Sequence, residues 1–156
     1  MLELYTSAAF RGERAAIGIA MRAAGGTFTR VIARPLGVAS REEAAYRALL
    51  HALWKAKGLG ARRVRVYSDH AAVVDQLVGQ SEAPQPLVGL YLQIKAMLNA
   101  YRRSSLEWID PRKNTEAFLA AVEALDRGPA LQQSDLDDVD LLPLWLSADE
   151  VPAGYR

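Results

Sequence analysis

The 156-residue sequence contains no cysteine and only two histidines, His51 and His70. The first absence excludes disulfides, thiolate zinc sites and cysteine nucleophiles, and the second excludes a histidine-rich metal centre. No apolar run approaches the ~18 uninterrupted residues of a membrane span. The opening MLELYTSAAFRGER also lacks a basic stretch followed by an apolar one. We therefore expect a cytoplasmic protein without a membrane partner, whose chemistry is left to carboxylates, hydroxyls and cations.

What is present is the composition of a folding domain. Hydrophobic residues make up 51% of the chain and charged residues 24%, so the sequence can bury a core and need not be disordered. The charges are unevenly placed. Residues 1–125 carry 17 Lys+Arg against 11 Asp+Glu, net +6, whereas residues 126–156 carry 2 against 7, net −5. A basic body fits a polyanionic partner, and an acidic tail is suited to act as partner bait or as an internal mimic of that polyanion. We expect a domain over residues 1–126 and an acidic, Leu/Trp-containing tail over 127–156, whose segment 135–146 offers a protein-binding motif.

Periodicity orders the body. Leu2, Leu4 and Thr6 alternate with Glu3 and Tyr5, and extended patterns recur over 15–21 and 27–32 around Gly25-Gly26. This predicts three strands, the last two a hairpin. Ser40-Arg41-Glu42-Glu43 has the form of a capping box, and Ala45, Ala48, Leu49, Ala52, Leu53 and Ala56 then share one helical face up to Gly58. A strand over 64–67, a short helix over 71–79, a longer helix over 87–102, a strand over 105–109 and a last helix over 114–125 complete the reading. Strand, helix, strand implies a parallel crossover.

This order, together with four separated motifs, resembles the ribonuclease H family over about residues 2–125. The motifs are Leu4-Tyr5-Thr6-Ser7-Ala8, Ser40 to Leu49, Val64-Arg65-Val66-Tyr67-Ser68-Asp69-His70, and Trp108 to Leu125 with Asn114-Thr115-Glu116-Ala117. The resemblance implies an α/β fold: a five-stranded mixed sheet, its first three strands antiparallel and then two parallel, flanked by helices. It also implies a site of four carboxylates holding two magnesium ions that cleave the RNA strand of an RNA-DNA hybrid. Of those four positions this sequence retains Asp69. Ser7, Ala45 and Phe118 occupy the other three, and Trp108 stands where a loop histidine is usual.

Magnesium requires several hard oxygen ligands, so one carboxylate in place of four argues against metal-dependent hydrolysis and for no cofactor. The sequence thus points to a ribonuclease H-like protein with a degenerate two-metal site, binding nucleic acid such as an RNA-DNA hybrid or duplex, or acting as a scaffold. An alternative is hybrid cleavage with magnesium or manganese through Asp69 and displaced carboxylates. Glu42 lies one helical turn before Ala45 and Asp110 precedes the last helix, although acids in a first turn also complement the helix dipole. Asp69 itself, as a lone carboxylate, reads first as the cap of the helix that follows it. A serine nucleophile, Ser7 or Ser68, paired with His51 or His70 is a further arrangement to test.

Candidate nucleic-acid contacts are Arg11 and Arg14 flanking the first turn, Arg62 and Arg63 before the fourth strand, and Arg112 and Lys113, grouped with Arg102 and Arg103 towards the other end of the body. Arginine outnumbers lysine 15 to 4, which supplies forked donors suited to phosphate and also follows from a GC-rich genome.

Overall fold

The computed structural model describes residues 1–127. Three long strands come first, β1 (Leu2–Arg11), β2 (Arg14–Ala23) and β3 (Phe28–Val38). They are followed by α1 (Arg41–Gly58), β4 (Arg63–Ser68), α2 (Ala71–Leu77), α3 (Val88–Ala100), β5 (Arg103–Trp108) and α4 (Thr115–Arg127), with single 3-10 turns at Gln85–Leu87 and Pro111–Lys113. One mixed sheet results, in the order β3-β2-β1-β4-β5. β1 pairs antiparallel with β2 and β2 with β3, while β1 with β4 and β4 with β5 are parallel, as expected.

β1 lies at the centre and is covered on both faces. On one face Leu4, Ile17, Ile19, Met21, Val64 and Val66 merge with Leu49 and Leu53 of α1 and Ile94 of α3 into the main core. Full burial of each such large side chain contributes about 1.5–3 kcal/mol. The other face receives α4 through small residues: Ala9, Ala16 and Ala20 of the strands meet Ala117, Ala121 and Ala124 of the helix. At Gly18 the approach is closest, for a Cβ there would lie 2.0 Å from the Ala117 carbonyl oxygen. This seating fixes where the first turn of α4 points.

Two strands run longer than the alternating pattern suggests. β1 continues past Thr6 through Ser7, Ala8 and Ala9, small residues packed between α1 and α4 where burial on both faces erases period two, before it reaches Phe10 and the exposed Arg11. β3 continues past Ile32 through Pro35, which is tolerated because β3 is an edge strand and the register shifts beside it, between Ala15 and Ala16 of β2. In the β2–β3 turn Gly25 alone of the glycine pair takes a positive φ, +80°, and the Gly26 N–H closes on the Ala23 carbonyl at 2.8 Å.

α1 starts where expected, with the Ser40 hydroxyl accepting the Glu43 N–H at 3.0 Å. The Glu43 carboxylate takes Arg47 one turn on, at 3.0 Å, instead of returning to the cap. At the end of the sheet that α4 leaves open, Glu3 is buried and accepts from Arg22 Nε at 2.7 Å, Tyr5 Oη at 3.1 Å and Arg65 Nη1 at 3.4 Å. The Tyr5 ring stacks on Tyr67 with centroids 4.7 Å apart. A buried carboxylate is tolerable with that number of donors.

No helix among the described residues is long and apolar enough to cross a membrane. α4 reaches Arg127. The expectations for the tail beyond it, including a partner-binding segment over 135–146, fall outside the described residues.

Candidate functional site

The parallel pairing of β1 with β4 sets Thr6 beside Ser68. The residues that follow, Ser7 and Asp69, are thereby brought together from positions 62 apart in the chain. Ser7 Oγ donates to Asp69 Oδ2 at 2.6 Å. Asn114, 1% exposed at the entrance to α4, donates from Nδ2 both to the same oxygen at 3.0 Å and to the Thr6 carbonyl at 2.8 Å. Trp108, the last residue of β5, donates its indole N–H to the Asp69 carbonyl at 3.3 Å. Asp69 is therefore no helix cap. α2 begins after His70 with no side-chain cap bond, because the Asp69 carboxylate is turned across to Ser7 and Asn114.

α1 brings Ala45 to this place and α4 brings Phe118. Ser7, Ala45, Asp69 and Phe118, the four positions singled out in the sequence, all line one half-open cavity of about 210 Å³. Phe10, Arg41 and His70 line it too, and the Arg41 guanidinium sits 4.4 Å above the centre of the Phe10 ring. One carboxylate, hydroxyls, the guanidinium of Arg41, the imidazole of His70 and apolar groups are what the cavity offers. Among the described residues no three His, Asp or Glu side chains are gathered closely enough to hold a metal ion. Two magnesium ions need a denser set of hard, anionic oxygens, so this donor set does not fit them.

The displaced carboxylates do not fill the deficit. Glu42 lines a separate groove of about 930 Å³ with Arg47, His51 and Leu90. Asp110 binds Arg112 through Oδ2 at 2.7 Å and through Oδ1 to its backbone N–H and Nε. Those hydrogen bonds, side chain first, hold its pKa down to about 2. Neither serine-histidine arrangement is assembled either. His51 belongs to the Glu42 groove, away from Ser7 and Ser68. Ser68 Oγ accepts the backbone N–H of His70 at 3.2 Å, while the imidazole Nδ1 of His70 is buried without a hydrogen-bond partner.

His51 is nonetheless informative about stability. Burial, reinforced by Arg34 and Arg47, pushes its pKa down from 6.5 to about 3. Between those values the unfolded chain binds a proton that the folded chain does not, so stability should fall as pH drops from about 6.5 towards 3. Melting temperatures measured across that window should decline, and His51→Gln should flatten that part of the profile.

The basic residues named from the sequence are distributed over three places. Arg11, at the far end of β1, is ion-paired with Asp126, with Arg14 beside it across the turn. Arg112 is engaged by Asp110, which leaves the exposed Lys113, one residue before Asn114, without a carboxylate within 4 Å among the described residues. Arg62 and Arg63 lie at the start of β4, about 20 Å from Asp69 by the rise of a strand. Arg102 and Arg103 do not lie with Arg112 and Lys113. Arg103 is the register partner of Arg63, and the Arg102 N–H bonds the Arg62 carbonyl at 2.9 Å. All four of these arginines are exposed and make no ion pair with the described residues.

Sequence reasoning did not assign a role to Asn114, Phe10 or Arg41 at the cavity, and named His70 only as the partner of a serine nucleophile. Asn114 was within reach as the first residue of the last motif, but its bond to Thr6 spans 108 positions. The contact of Arg41 with Phe10 left no signal in the pattern.

Comparison with known proteins agrees with this fold. The reverse transcriptase-like family matches residues 6–124. The bifunctional protein Rv2228c of Mycobacterium tuberculosis is 31% identical over 75% of this chain and 34% of its own length. The chain thus spans about a third of the curated relatives it matches. The solved N-terminal RNase H domain of that protein, fused to maltose-binding protein, superposes with a TM-score of 0.75 at 31% identity, covering 85% of this chain and 96% of that one. RNase H1 from the halophilic archaeon Halobacterium salinarum gives 0.77 at 26% identity over 81% and 98%. LC11-RNase H1, solved in complex with an RNA/DNA hybrid, gives 0.75 at 22% identity over 81% and 98%, a likeness of fold.

Proposed function

This chain belongs to the reverse transcriptase-like family, whose structural neighbours here are ribonuclease H domains, and on that premise we propose that it binds nucleic acid without metal-dependent cleavage of the phosphodiester backbone. One observation carries the reading. The positions at which the family resemblance implies carboxylates converge on a single cavity, and there they present one acid, already engaged by Ser7 and Asn114, with an alanine and a phenylalanine opposite. Stabilising two close divalent cations takes anionic charge that this cavity lacks. Recognition of phosphate does not depend on that charge. It depends on unpaired cations, which the surface provides at Lys113 and at the Arg62, Arg63, Arg102 and Arg103 cluster. LC11-RNase H1 binds an RNA/DNA hybrid, and a hybrid or duplex is the ligand we infer here as well.

The test is a labelled RNA-DNA hybrid incubated with the full chain and magnesium or manganese, assayed for both cleavage and mobility shift. The expected result is a shifted, uncut hybrid whose binding weakens log-linearly with salt, as counterion release requires. Arg62→Ala with Arg63→Ala should reduce the slope of that salt dependence by about 2, roughly one for each phosphate left without its arginine. Cleavage by the wild-type chain that disappears in Asp69→Asn would overturn the proposal.

A further inference from the structure

We propose that the cavity beside Asp69 receives one unpaired nucleobase carrying an exocyclic amino group, adenine or cytosine, from the nucleic acid that the protein binds. This rests on the nucleic-acid-binding reading above and deepens it at the cavity itself. The volume, about 210 Å³, lies below the ~300–1,000 Å³ of pockets that enclose drug-sized ligands. It suits a planar ring system and excludes a whole nucleotide. Its walls have the right character, since Phe118 is 42% exposed at the rim and Phe10 lies within the lining, and aromatic faces are the surfaces on which unpaired bases stack.

The polar groups give the cavity a sense of direction. Asp69 Oδ2 is occupied by Ser7 and Asn114, whereas Oδ1 accepts no hydrogen bond from the described residues. The neighbouring His70 Nδ1 is buried without a partner. Asn114 Oδ1, on the residue that holds Asp69, is likewise buried without a partner, and buried polar atoms left unpaired at one place call for an explanation such as a ligand atom. A carboxylate oxygen that accepts, in a cavity that the His70 imidazole also lines with an N–H to donate, matches an amino group next to a ring nitrogen. On the Watson–Crick edge adenine presents N6–H with N1 and cytosine presents N4–H with N3, whereas the guanine amino group there stands beside N1–H, a second donor. Thymine offers a carbonyl where the amino group would be, facing the carboxylate with an acceptor. In a duplex those edges are paired, so the base must come from a single strand or an opened end. Arg41 lines the same cavity and supplies a cation for the phosphate of the captured nucleotide.

The experiment titrates the full chain with fluorescently labelled oligo(dC), oligo(dA) and oligo(dT) of equal length at fixed salt, alongside the RNA-DNA hybrid. Oligo(dC) and oligo(dA) should bind at least about fivefold more tightly than oligo(dT), the lower end of what one stacked base contributes. Phe118→Ala should remove that preference and Phe118→Tyr should keep it. Asp69→Asn, which adds a donor, should shift preference towards oligo(dT), with melting curves confirming that each variant is folded. Equal binding of all three oligonucleotides, unmoved by these variants, would overturn the pocket and leave the phosphate-binding reading standing. Failure to bind any oligonucleotide or the hybrid would overturn both.

Discussion

Gly18→Ala should lower the stability of the domain by about 3 kcal/mol or more, the upper end of what overpacking costs. In a chain of this length that corresponds to a fall of roughly 6–12 °C in melting temperature. The added methyl would stand 2.0 Å from the Ala117 carbonyl oxygen and 2.7 Å from the Ala121 nitrogen. Both are backbone atoms of α4, so no side-chain rotation relieves the clash and the helix must move off the sheet. Because the entrance to α4 supplies Asn114 and its first turn supplies Phe118, the same substitution should disturb the Asp69 cavity. Gly89→Ala is the matching control. Gly89 lies in the first turn of α3 with open space around its Cβ direction and no positive φ, so alanine there should leave stability unchanged or raise it by up to about 1 kcal/mol. Equal melting temperatures for the two variants would show that the contact between α4 and β2 is looser than described.

Returning acids to the three altered positions, with Ser7→Asp, Ala45→Glu and Phe118→Asp combined, should make the stability of the fold depend on divalent cations. Without metal, the carboxylate introduced by Ser7→Asp faces Asp69 where a hydrogen-bond donor stood, at a position only 3% exposed in the native chain. A buried charge without a counter-charge costs about 3–5 kcal/mol, and the melting temperature should fall by about 10 °C. Magnesium or manganese at about a hundredfold excess over its dissociation constant should restore about 2.7 kcal/mol by mass action. The wild-type chain should show no such response. A triple variant whose melting temperature ignores both metals would mean that the four positions do not share one site.

The architecture was legible in the sequence wherever one face of an element is buried and the other is wet. The helix from Arg41 to Gly58 declared itself through its cap and its apolar stripe for this reason. β1 beyond Thr6 was not legible, because a central strand buried on both faces loses its alternation. β3 beyond Ile32 was hidden by Pro35, which reads as a strand breaker unless the strand is known to be an edge. The site was legible as a set of positions, since Ser7, Ala45, Asp69 and Phe118 do meet. Its hydrogen bonding was not. Whether a lone aspartate caps its own helix or reaches across the sheet is decided by the placement of Asn114, and that placement depends on how closely an alanine-lined helix seats on Gly18.

The two margins of the sheet limit how this protein associates with other proteins. A sheet grows by recruiting a foreign strand to an outer strand whose N–H and C=O groups are free and flat. Here β3 offers Pro35, which lacks an N–H, and irregular registers against β2 on either side of Ile17 to Ala20. The opposite margin, β5, presents Arg103 and Glu107 on a strand of six residues. Both outer strands are thus poor templates, so crowding or partial unfolding should not readily convert this domain into continuous β-assemblies.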